Sequence, residues 1–304
     1  MGIGPATLWT LGLLVVGTLG TWWMEPRLLR GQPELGPASP VQTTPDRLTD
    51  KLDPWMYYAG PVLALIGVAW GALCLPFSED LIGADVGVGL FYFIVVVDFA
   101  VLGVSLGGWG TNTPHGVEAC YRIIAQLVAY VIPLGLAIIG PIMMARSLST
   151  VDITQAQAQA GLWYAIPQPV GFALYLVCGL MQAYRAPFLE PFAERIDHGI
   201  LGFYGGWKAV CWRIALSGLL FIVAAMGAVL FLGGYAGPLL PGPVWMLLKT
   251  FGLMALMVWG GAQVRLLTTD EMIRLAWKVL IPVGLANVLL VGALILMGVG
   301  QSPF

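Results

Sequence analysis

Eight apolar runs recur along the chain, at about 5–24, 56–76, 86–108, 119–145, 163–184, 208–234, 243–264 and 278–298. A helix of roughly 20 residues rises about 30 Å, the thickness of a bilayer's hydrocarbon core. Composition closes off the soluble alternative. With 59% hydrophobic and only 10% charged residues among 304, the chain cannot cover a water-facing surface, where about a quarter of residues are charged. The expected fold is an all-α membrane protein: a bundle of eight transmembrane helices forming one transmembrane domain over 1–304. Neither an internal repeat nor a soluble domain is visible in the sequence.

Basic residues orient the bundle. Loops 25–55, 109–118, 185–207 and 265–277, with adjoining helix ends, hold Arg27, Arg30, Arg47, Lys51, Arg122, Arg185, Arg195, Lys208, Arg213, Arg265, Arg274 and Lys278, twelve of the fourteen Lys and Arg. The alternate loops 77–85, 146–162 and 235–242 hold only Arg146, and Lys249 lies within a span. Positive charge concentrates on the cytoplasmic side. The loops 25–55 and 185–207 are therefore expected in the cytoplasm, and both termini outside. The first run differs from a signal peptide, since no Lys or Arg precedes it. Trp22, Trp23, Trp109 and Trp163 sit at or beside span ends, as interfacial anchors do. Pro133, Gly135, Gly140 and Pro141 would permit a kinked fourth helix.

One acid stands inside a span. Asp98 lies in Phe91–Leu102, where an ionised carboxylate costs about 3 kcal/mol on insertion scales. Such a residue is paired, faces a watery cavity or moves protons. Lys249, six residues into its span, either snorkels outward or joins Asp98 in a polar line through the bilayer. Cys74, Cys120, Cys178 and Cys211 are dispersed, and His115 and His198 stand alone, so no metal or disulfide framework is expected. A net charge of −2 offers no basic footprint for nucleic acid.

Four ordered stretches carry a resemblance. Asp85-Val86-Gly87-Val88-Gly89-Leu90-Phe91-Tyr92 leads into the Asp98 helix. Gly108-Trp109-Gly110-Thr111-Asn112 precedes Arg122, Gln126 and Tyr130. Arg185-Ala186-Pro187-Phe188 is followed by Pro191, Ala193 and Glu194. Pro241-Gly242-Pro243-Val244-Trp245 precedes Leu248-Lys249-Thr250, Asp270, Arg274, Trp277-Lys278 and Pro282. Together with the span order, these resemble the H-type membrane subunit of proton-pumping NADH:quinone oxidoreductase, respiratory complex I, as a divergent member. Val131, Gln182, Leu189 and Phe192 stand where that family has acids, and its amphipathic segment after the first span is replaced by residues 38–47. A carboxylate relay loses titratable sites by these exchanges, because Gln bonds but does not titrate.

The resemblance implies a subunit that anchors a peripheral arm, helps form a quinone passage and couples quinone reduction to proton translocation, with coupling reduced by the missing acids. It implies proton-coupling roles for Asp98, Lys249 and Glu194, and quinone-passage or arm-contact roles for Arg27, Arg185, Phe188, Arg195, Asp270 and Arg274. Quinone would be the substrate, and iron–sulfur clusters and flavin would belong to partner subunits. Partners would be the quinone-site and iron–sulfur subunits of the arm and small membrane neighbours, in the inner membrane of a bacterium. The residues alone leave plainer alternatives open: Arg185, Glu194 and Arg195 paired at the surface, Asp270 paired with Arg274 on a short helix, and Asp98 as a neutral buried acid. A membrane anchor of a related hydrogenase, and a stand-alone transporter using Asp98 and Lys249, are rival functions that the copurifying subunits would separate.

Overall fold

The computed structural model describes residues 5–29, 52–79, 81–189 and 200–298. Helices occupy each apolar run: α1 Pro5–Leu28, α2 Pro54–Leu73, α3 Gly89–Gly110, α4 Pro114–Ala145, α6 Pro169–Gln182, α7 Gly206–Leu232 and α8 Gly242–Ala262. The last run is covered by α9 Thr269–Leu275 and α10 Ile281–Leu296, joined by a π turn at Ala276–Leu280. Pro282 has no N–H to continue the ladder, and the wider turn lets Ile281 N donate to Ala276 O instead. Among the described residues, seven helices are long and apolar enough to cross a membrane. The shorter α6 has 14 residues, about 21 Å at the usual helical rise.

Helix starts are set by local chemistry. Asp53 accepts from Trp55 N with Pro54 next to it, and Thr113 accepts from Gly116 N ahead of Pro114. A short polar acceptor before a proline satisfies one orphan N–H and presets the backbone. The 146–162 connection differs from the loop expected there: it contains an eleven-residue helix, α5 Thr150–Ala160. Its cap signals were present, with Ser149 accepting from Val151 N and Asp152 N, and Gly161 closing it at φ +59°. Alternating Gln and Ala gave it no apolar stripe.

The core is built around α7. Every residue from Gly218 to Phe231 is buried, as befits a helix apolar on all sides. It contacts α1, α2, α5, α6 and α8, while α4 packs against α3, α6 and α10. The closest pair is α2 and α3, whose facing positions are small. A Cβ at Gly60 would lie 2.8 Å from Gly107 Cα, at Gly67 2.5 Å from Ala100 N, at Gly103 2.6 Å from Ala64 N, and at Gly110 2.4 Å from Tyr57 N. Backbones approach this closely only where side chains are absent, the commonest route to tight association of membrane helices.

Interhelical bonds group the loops into two ends. At one, Tyr57 OH donates to Phe203 O (2.9 Å), Tyr204 OH to Gly107 O (2.9 Å) and Leu267 N to Pro187 O (2.9 Å). This end carries the basic connections. At the opposite end, Thr150 Oγ1 donates to Cys74 O (3.0 Å), Leu90 N to Leu148 O (3.1 Å) and Gln157 Nε2 to Val229 O (2.8 Å). Trp22, Trp23, Trp109 and Trp163 are all exposed.

In the 185–207 connection, residues 183–189 at its start are buried throughout. They turn back inside the bundle, where Arg185 reaches Leu216 O, ten residues into α7. The packing of α2 on α3 gives a direct expectation. Gly103→Val forces backbone apart and destabilises the protein by roughly 1–3 kcal/mol, the usual range for overpacking. Gly135→Ala, where nothing lies within 4 Å of the added Cβ, is tolerated. Thermal unfolding of both variants in detergent checks the contrast.

Candidate functional site

Asp98 is the tenth residue of α3 and is half-buried. The small-residue seam turns one face of α3 to α2, leaving Asp98 to look toward α4. There Tyr130 OH donates to Asp98 Oδ1 across a long 3.4 Å. Tyr130 is fully enclosed, and Gln182, the last residue of α6, lies within hydrogen-bonding reach of its hydroxyl. Tyr184 stands close enough to interact electrostatically with both Tyr130 and Asp98. A carboxyl and a phenol can each accept and release a proton, whereas the Gln182 amide only donates and accepts hydrogen bonds. The group forms a short polar path from the middle of α3 to the buried 183–189 turn.

That turn is irregular backbone inside a membrane bundle, so each of its polar groups needs a partner from protein. Gln126 of α4 supplies two bonds, from Nε2 to Met181 O (2.6 Å) and to Phe188 O (3.3 Å). Arg185 Nη1 donates to Ala183 O (2.9 Å), and Nη2 donates to Leu216 O (3.3 Å) and to Glu25 Oε2 (3.2 Å). Its Nε approaches Glu25 Oε1 at 2.6 Å, an ionic contact too poorly aligned to count as a hydrogen bond. Both side chains are about 2–3% exposed, so this is a buried ion pair. From α8, Gly261 leaves room for the turn, since a Cβ there would fall 2.0 Å from Ala186 O.

The sequence-derived candidates therefore separate. Asp98 lies at the polar path, and Arg185 and Phe188 belong to the turn beneath it. Arg185 is not paired at the surface; its partner is Glu25 of α1. Lys249 is also buried, and its contacts lie elsewhere. Nζ donates to Gly234 O (2.9 Å) and Ala236 O (2.7 Å) at the end opposite the basic loops. Trp163 and Trp245 flank it, with Nζ 5.4 Å and 5.7 Å from their ring centres. Lys249 thus turns outward, toward the α7–α8 connection.

Arg27 closes α1 on the exposed side, where its guanidinium lies 3.5 Å above the Trp23 ring. Asp270 and Arg274 are exposed on α9. The ion pair of that region joins Arg265 to Glu271 at 2.6 Å, rather than Asp270 to Arg274. Glu271 also raises the Arg265 pKa, chiefly through their hydrogen bond. Glu194 and Arg195 fall outside the described residues.

Sequence reasoning passed over Glu25, and noted Gln126 and Tyr130 only as spacing. Glu25 had a signal: it is an acid one residue beyond an apolar run, on the side that also carries Arg185. Two of the acids absent relative to the resembled family, at Gln182 and Leu189, map to buried positions. Val131 is half-buried on α4. An acid at the first two would sit in a closed volume and need a partner or a proton.

Comparison with known proteins agrees with this architecture. A family model described as NADH dehydrogenase matches residues 44–292. An H subunit of NADH-quinone oxidoreductase from Rhodopseudomonas palustris is 32% identical over 305 residues, covering 95% of this chain and 94% of the relative. The corresponding H subunit from Syntrophobacter fumaroxidans is 36% identical over 232 residues, covering 73% of this chain and 70% of the relative. That of Geobacillus kaustophilus is 32% identical over 252 residues, covering 81% and 74%. With its membrane-length helices and matches over nearly its whole length, the chain is a multi-pass membrane protein that belongs to the family of NADH-quinone oxidoreductase H subunits.

Proposed function

We propose that the chain is the membrane subunit that seats the electron-transfer arm of a complex I-type NADH:quinone oxidoreductase on the bilayer. In this reading the basic end faces the cytoplasm of a bacterium and receives the arm. Arg27, Asp270 and Arg274 are exposed there and available to a partner, and Glu194 and Arg195 are further contact candidates from the sequence. Flavin and iron–sulfur clusters stay in partner subunits. Quinone is the substrate, its tail entering from the bilayer along apolar helix faces and its head approaching the buried turn that contains Arg185 and Phe188.

The observation that carries the proposal is the half-buried Asp98 bonded to Tyr130, within electrostatic range of Tyr184 in that turn. Reducing a quinone to a quinol takes two electrons and two protons, and when the electrons arrive ahead of the protons negative charge develops briefly near the turn. A protonatable carboxyl in mid-span responds to such charge by changing its proton occupancy. Tyr130 gives the carboxyl a hydrogen-bonded neighbour and fixes the face from which it exchanges. The Glu25–Arg185 pair holds the turn without adding net charge. Gln182 in place of an acid leaves the path with fewer proton-holding sites, which favours weaker coupling. Lys249, bonded to carbonyls at the far end, has a positioning role at the exit side.

Asp98→Asn keeps shape and hydrogen bonding but removes the proton site. In assembled complexes in proteoliposomes, proton movement per quinone reduced is expected to fall well below the wild-type ratio, with assembly unchanged. Unaltered pumping by assembled Asp98→Asn complexes contradicts the coupling role. Affinity purification of the tagged chain in mild detergent is expected to bring down NADH-oxidising, iron–sulfur-containing subunits. Recovery with hydrogenase subunits instead, or reproducibly alone, contradicts the proposal.

A further inference from the structure

Away from the polar path, α4, α6 and α10 pack against one another in the half of the bundle opposite the basic loops. Gly284 of α10 faces Leu136 of α4, a Cβ there falling 2.9 Å from Leu136 Cβ, and Gly292 faces Met143, at 3.6 Å from its Cε. The two helices therefore run side by side in the same direction, which sets Asn287 level with residues 139 and 140 of α4. From α6, Gly171 leaves room for the Asn287 side chain, since a Cβ there would lie 2.8 Å from Nδ2. Gly140 in turn leaves room for Gln168, the residue before α6, whose Oε1 occupies the place a Cβ would take. Both amides thus enter one junction at one level.

The protein does not satisfy them. Asn287 is 3% exposed and Gln168 fully enclosed. Gln168 Nε2 donates to Met144 Sδ, but Gln168 Oε1, Asn287 Oδ1 and Asn287 Nδ2 meet no partner among the described residues. The helix α4 adds a further acceptor. Pro141 has no N–H, so Ala137 O lacks the bond that the fourth residue on normally gives it. Ala137 lies one turn before Gly140, on the same buried face. The junction thus offers three oxygen acceptors and one amide donor, with no net charge and with Leu136, Leu174 and Val291 around it. A cation would suit the oxygens but oppose the Nδ2 donor, and an anion the reverse. Water both donates and accepts, and ordered water is one of the ways a proline-broken membrane helix recovers its lost bonds. Two linked waters close the count: three of their four hydrogens go to the acceptors, the fourth joins them, and Nδ2 donates to one of them.

We propose that the α4–α6–α10 junction binds a pair of linked waters held by Gln168, Asn287 and the Ala137 carbonyl. The site is separate from Asp98, so its failure leaves the proposed coupling role standing. The test uses the assembled complex in nanodiscs. Brief X-ray exposure makes hydroxyl radicals wherever water sits, and adjoining side chains are oxidised to products read by mass spectrometry. Met144, buried and bonded to Gln168, is expected to become the sulfoxide, whereas Met254, buried in the apolar core, stays intact. In the Asn287→Leu, Gln168→Leu double variant, Met144 oxidation is expected to be lost, down to the level of Met254, with quinone reductase activity retained. An intact Met144 in the wild type, or equal oxidation in wild type and variant, overturns the proposal. If the variant does not assemble, a map of the wild-type complex that resolves ordered water decides the matter. Density bonded to both amides supports the site, and a direct Asn287–Gln168 bond or a dry junction contradicts it.

Discussion

The buried ion pair between Glu25 and Arg185 is the contact on which the arrangement at the basic end depends. A chain that leaves α6 early and turns back inside the bundle exposes carbonyls to a medium without water. Arg185 answers Ala183 O and ties the turn to Leu216 O of α7, and Gln126 answers Met181 O and Phe188 O. An arginine can do this in a closed volume only if its charge is met, and Glu25 meets it. Taking either partner away from such a pair typically costs about 3–5 kcal/mol, because the remaining charge stays buried alone. Replacing both together by apolar groups is often close to neutral. The pair therefore specifies where the turn sits more than it adds to overall stability.

From that placement the rest of the site follows. The turn carries Tyr184 and, at its approach, Gln182; Gln182 comes near Tyr130, and Tyr184 lies within electrostatic range of Tyr130 and Asp98. The small-residue seam between α2 and α3 is the second constraint, since it sets the face of α3 from which Asp98 looks. Gln182 and Leu189 are buried where the resemblance leads one to expect acids, while Asp98 is half-buried and the Glu25–Arg185 pair is buried. The scaffold needs the pair to satisfy backbone, whereas the relay can lose acids and the helices still pack.

Much of the fold was legible from period, length and charge. Apolar runs marked each long helix, a proline after Asp53 or Thr113 marked where helices begin, and the run 218–231 had the all-round apolarity of a central helix. The α2–α3 seam was also open to view as Gly60, Ala64 and Gly67 facing Ala100, Gly103 and Gly107. Asp98 announced itself by its cost. Other features were hidden for physical reasons. The segment α5 lacks hydrophobic periodicity, so only its Ser149 and Gly161 caps betrayed it. Arg185-Ala186-Pro187-Phe188 has loop composition, and its burial follows from a carboxylate 160 residues away that no local pattern connects to it. Lys249 was legible as a cation within a span, but its acceptors are main-chain carbonyls, which carry no sequence signature.

Arg185 acts within its own chain, bonding the turn on which it lies to Glu25 of α1 and Leu216 of α7. A double-mutant cycle on Glu25→Met and Arg185→Met, read as thermal stability of the purified protein, tests this most directly. Each single substitution should destabilise strongly, and the double should be more stable than either, giving a coupling of about 3 kcal/mol or more. Additive effects, with the double worse than both singles, would show that the two side chains act separately and would remove the basis for the site's placement.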